Sequence, residues 1–68
     1  MANVEKLNAL IDYKGIKKIW LADQLGITQQ TLINKLNGTN DFKLQEVNTL
    51  CRILNIGEKE TKQIFFND

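Results

Sequence analysis

Few side chains in this chain are capable of covalent or acid–base chemistry. It has no histidine and no serine, and its one cysteine is Cys51. A hydroxyl or thiol nucleophile needs a neighbouring base to activate it, so neither a Cys–His nor a Ser–His–Asp arrangement can be assembled. A Cys/His zinc site is excluded on the same ground. The glycines at 15, 26, 38 and 57 stand apart, so there is no glycine-rich loop to cradle a phosphate. Only carboxylates remain for catalysis, and 68 residues hardly form a cleft around them. The expectation is a protein that is not an enzyme, needs no cofactor or metal and takes no small-molecule substrate.

Composition sets the frame. With 43% hydrophobic and 25% charged residues, the chain is neither a disordered tail nor a membrane segment. Its length predicts one domain over residues 1–68, near the lower end of what folds alone. Apolar runs are as short as Ile19-Trp20-Leu21-Ala22, far below the roughly 18 residues of a membrane span. The start, Met1-Ala2-Asn3-Val4-Glu5-Lys6, lacks the basic-then-apolar layout of a signal peptide. A lone cysteine forms no internal disulfide, which predicts a reduced, cytoplasmic setting.

The elements that would position a site are all helical, because no segment alternates with period two. The glycines divide the chain. The first helix is expected over 4–14, with Asn3 as its cap, an apolar stripe of Val4, Leu7, Leu10 and Ile11, and Lys14-Gly15 as its stop. The second is expected over 18–25, turning Leu21, Ala22 and Leu25 inward and ending at Gly26. The third is expected over 29–36, capped by Thr28, with Leu32 and Leu36 on one face and Asn37-Gly38 closing it. Residues 39–43 read as a polar loop. A fourth helix over 44–54 carries the stripe Leu44, Val47, Leu50, Cys51 and Leu54. Ile56-Gly57 separates it from a fifth over 58–66. The expected fold is an all-α bundle of five short helices. Tyr13 and Phe42 should cover core edges, Trp20 should pack against the first helix, and Ile33 should shield part of the core.

One junction stands out. Leu25-Gly26-Ile27-Thr28 is the whole connection between the second and third helices. Gly26 can take a positive φ, Ile27 can tuck inward, and Thr28 can cap the third helix. These are the physical requirements of a helix-turn-helix, whose second helix enters the DNA major groove.

The segment Ile19-Trp20-Leu21-Ala22-Asp23-Gln24-Leu25-Gly26-Ile27-Thr28-Gln29-Gln30-Thr31-Leu32 resembles the helix-turn-helix of phage repressor and Cro proteins. The likeness, to lambda-repressor-like domains, extends over about residues 4–56. It implies a sequence-specific regulator of transcription that binds a double-stranded DNA operator. It places the base-reading positions on Gln29, Gln30 and Asn34. Their chemistry agrees, since a carboxamide can bridge the N6 donor and N7 acceptor of adenine. It places phosphate contacts on Lys17, Lys18, Thr28, Thr31, Lys35, Asn37, Thr39, Asn40 and Lys43, beside the amides at the start of the third helix. The chain departs from the family at Lys17, where Ser or Thr usually caps the second helix, and at Asp41, in a loop that is commonly basic. Ile33 and Lys35 also depart, toward an apolar and a charged residue respectively.

Charge lends support. Residues 14–43 hold Lys14, Lys17, Lys18, Lys35 and Lys43 against Asp23 and Asp41, a net +3 in a chain of net +1. The terminal Ile64-Phe65-Phe66 either folds back onto helices one and four or forms a dimer seam; a homodimer, at least on DNA, is expected of the family. The sequence leaves two alternatives. One is a protein-interaction module acting through Trp20, Phe65 and Phe66, and the other is an antitoxin-type regulator.

Overall fold

The computed structural model describes residues 2–66; Met1, Asn67 and Asp68, the ends of the expected 1–68 unit, lie outside the described residues. Five helices follow one another: α1 (Val4–Lys14), α2 (Lys18–Leu25), α3 (Gln29–Leu36), α4 (Leu44–Leu54) and α5 (Glu58–Phe65). There is no strand among the described residues. The helix starts are local chemistry. Asn3 Oδ1 accepts the Lys6 N–H at 3.1 Å to cap α1. At α4 the preceding Lys43 cannot accept, and Glu46 in the first turn takes the Lys43 N–H at 2.8 Å instead.

The stops share one device. After α1, α2, α3 and α4, two successive N–H groups fold back onto the last carbonyls: Gly15 and Ile16, Gly26 and Ile27, Gly38 and Thr39, Asn55 and Ile56. The fourth was not expected. Asn55, at φ 53°, ends α4 in the left-handed conformation, while Gly57 is extended and merely precedes α5. Asparagine tolerates this backbone because its short polar side chain can hydrogen-bond locally. At the other end, α5 closes at Phe65, one residue short of expectation.

Every helix contributes to a single core cluster. Leu7 and Ile11 of α1 meet Leu21 and Ala22 of α2, Leu32 and Leu36 of α3, and Leu50 and Leu54 of α4. Each fully buried Leu or Ile contributes about 1.5–3 kcal/mol. α2 packs on α3 and α4, and α1 reaches α3, α4 and α5. The Asn3 N–H donates to the Ile64 carbonyl, so the start of α1 is tied to the end of α5.

Several expected placements change. Ile64 and Phe65 are buried, and Phe65 meets Phe42 edge-to-face at 6.0 Å. Of the three residues expected at a dimer seam, only Phe66 remains exposed. Tyr13 is 88% exposed and covers nothing, because it lies on the face of α1 away from Leu7 and Ile11. Leu44 is 67% exposed because it opens α4 beyond the reach of the core, at the rim of a shallow 360 Å³ pocket shared with Phe42 and Phe66. Trp20 is half exposed. Ile33 and Cys51 are half-buried, and the Cys51 sulfur lies 3.3 Å from the Thr61 hydroxyl. No helix among the described residues is long and apolar enough to cross a membrane.

Candidate nucleic-acid interface

The junction between α2 and α3 is as short as the sequence requires. Gly26 sits at φ 71°, its N–H donating to Asp23 and the Ile27 N–H to Ala22, at 3.1 and 3.0 Å. Ile27 is half-buried and packs against the core. Thr28 then caps α3: its Oγ1 accepts the Thr31 N–H at 3.1 Å and donates to the Thr31 Oγ1 at 2.8 Å. Two hydroxyls this close use one proton between them, which leaves the other free for an outside acceptor.

With Leu32 and Leu36 sealed in the core, the opposite face of α3 is presented outward. Gln29 and Gln30 are exposed and Asn34 is half-buried. Gln30 Nε2 donates to Asn34 Oδ1 at 3.0 Å across one turn. The N–H groups of Gln29 and Gln30 have no carbonyl partner among the described residues, as befits the first turn of a helix. The start of α2 is similar. Lys17 precedes it with no side-chain cap, so its first N–H groups are left to water or an anion. Lys17 is exposed and Lys18 half-buried there. Beyond α3, Asn37, Thr39, Asn40 and Lys43 are all exposed.

Lys35 does not join them. Its side chain is 7% exposed, and its ammonium lies 2.5 Å from the Glu46 carboxylate and 5.8 Å from the centroid of the Phe42 ring. An ammonium held this way is not available to a phosphate. This corrects the expected set, and it trims the basic surface to Lys14, Lys17, Lys18 and Lys43 against Asp23 and Asp41. Burial pushes the Glu46 carboxyl up. The Lys35 hydrogen bond, the Lys43 N–H and the two ammonium charges outweigh burial and hold it below the usual carboxylate value.

Two supporting residues escape a reading by motif. Glu46 ties the end of α3 to the start of α4. Asn8 of α1 donates from Nδ2 to the Val4 carbonyl at 2.9 Å and to the Leu36 carbonyl at 3.0 Å, fastening α1 to the last turn of α3. Glu46 carried one local signal, since it stands three residues after the helix-preceding Lys43 and ahead of an apolar stripe. Asn8 carried no such signal.

The family follows from comparison with known proteins. The description "Cro/C1-type HTH DNA-binding domain" matches residues 6–60, and the chain belongs to that family. It is an all-α helix-turn-helix domain of the DNA-binding kind. No curated protein gives a significant match to the chain. Family membership favours DNA binding over the interaction-module alternative, and the burial of Phe65 removes part of the surface on which that alternative rested.

Proposed function

We propose that residues 1–68 act as a single DNA-binding domain of a transcriptional regulator, a phage or prophage repressor or a Cro-like protein. It lays α3 in the major groove of a double-stranded operator and represses by occluding a promoter. The observation that carries this reading is the amide face of α3. Gln30 and Asn34 lie on the side of the helix opposite its buried leucines, and Gln29 is exposed in the first turn, immediately after a tight turn from α2. Carboxamides at these positions match base edges, and each good bidentate contact discriminates by about 1–3 kcal/mol. Phosphates are held by Lys17 and Lys18 with the uncapped start of α2, by Thr28 and Thr31 at the start of α3, and by Asn37, Thr39, Asn40 and Lys43 beyond its end. The domain binds as a homodimer at least on DNA, with two half-sites related by the protein two-fold. The exposed Phe66 and Leu44 are apolar surface suited to that contact.

The test is fluorescence anisotropy of the protein against a random duplex pool over a salt series, with selection of the tightest sequences afterwards. The expected result is binding that weakens as salt rises, and a selected sequence with two half-sites about one helical turn apart. Replacing Gln29 and Gln30 by Ala should erase preference for the selected duplex while binding to random duplex persists. Absence of binding at low salt would overturn the reading.

A further inference from the structure

The reading face contains a hydrogen bond of its own. A free glutamine amide turns readily about its last torsion, and the turn exchanges its donor and acceptor ends. At Gln30 that exchange costs a hydrogen bond unless Asn34 turns with it, because Nε2 donates to Asn34 Oδ1 at 3.0 Å. The bond uses one Nε2 hydrogen. It leaves Gln30 a second N–H and a fully free Oε1, which are the donor and acceptor that the N7 and N6 of adenine require. Asn34, half-buried on the same side of α3, has one lone pair of Oδ1 already engaged.

We propose that Gln30 and Asn34 work as one unit, in which Gln30 contacts an adenine and Asn34 is the positioning residue that fixes the orientation of its amide. The inference rests on the groove-reading function above. It differs from independent readout, in which each amide would have its own base pair.

The experiment starts from the tightest duplex selected by the wild-type protein. Affinity is measured for that duplex with each of the four bases at each position, for wild type, Gln30→Ala, Asn34→Ala, the double variant and Asn34→Asp. Circular dichroism checks that each variant is folded. Wild type is expected to favour adenine by about tenfold or more at the position that Gln30→Ala relaxes. Asn34→Ala should lose most of the preference at that same position, and adding it to Gln30→Ala should remove nothing further there. Asn34→Asp keeps an accepting oxygen, so it should retain the adenine preference while its charge weakens all duplexes alike. A purely structural role for Asn34 would change stability without moving this ratio. The inference is overturned if Asn34→Ala leaves that preference intact, if the two substitutions relax different positions additively, or if Gln30→Ala relaxes none. In each of those cases selective binding by wild type leaves the groove-reading function standing. A wild-type protein that binds no duplex overturns that function and the inference together.

Discussion

At the scale of single residues, the Lys35–Glu46 pair decides most. Two charges withdrawn from water are costly, and they persist here because each satisfies the other and Glu46 also takes the Lys43 N–H. Removing one partner strands the other. Glu46→Ala should therefore lower the unfolding free energy by about 3 kcal/mol, and Lys35→Met with Glu46→Leu should recover most of that, both read from urea denaturation. The pair also sets a response to acid. Because the folded Glu46 pKa lies below its unfolded value, its contribution is complete above about pH 4.3. It is lost as pH falls through the lower folded value. Melting temperature measured against pH should drop in that acid window for wild type, and the drop should be smaller in Glu46→Gln.

At the scale of elements, the turn between α2 and α3 sets how α3 leaves its neighbour. Gly26 holds φ 71° with no atom within 4 Å of where a Cβ would stand, so substitution there meets backbone strain and no clash. Gly26→Ala should lower stability by about 1–2 kcal/mol. Thr28→Ala, which removes the α3 cap, should cost about 1 kcal/mol. Denaturant midpoints test both. The caps and stops were legible in the sequence because they depend on residues within one turn of each other. Asn55 was not, because a left-handed asparagine has the same side chain as any other, and the neighbouring Gly57 is the more obvious stop.

At the scale of the whole molecule, the cationic surface is thin once Lys35 is withdrawn. Non-specific affinity should be modest, and its logarithm should fall with log salt by a shallow slope per monomer. Replacing Lys17 and Lys18 by Ala should reduce that slope by about one unit for each phosphate no longer neutralised and weaken all sequences alike, as read by anisotropy over a salt series. The proposed pairing of two copies on DNA belongs at this scale too. Phe66→Ser should leave the monomer fold intact, since Phe66 lies outside the core, and should weaken binding to a duplex with two half-sites more than to one with a single half-site.

The sequence by itself determined the number and order of the helices, their caps, the tight turn at Gly26 and the amide face of α3. These rest on periodicity and on hydrogen bonds between near neighbours, which a linear string records. Tertiary structure decided what distant segments do to one another. Lys35 reads as a surface cation until the start of α4 brings Glu46 against it. Ile64 and Phe65 read equally as seam or core until α1 closes over them. Leu44 continues an apolar stripe on paper, yet it stands in the open because it opens the helix beyond Val47, where the core stops. Burial and charge pairing depend on which faces meet, and that is fixed only when all five helices share one core.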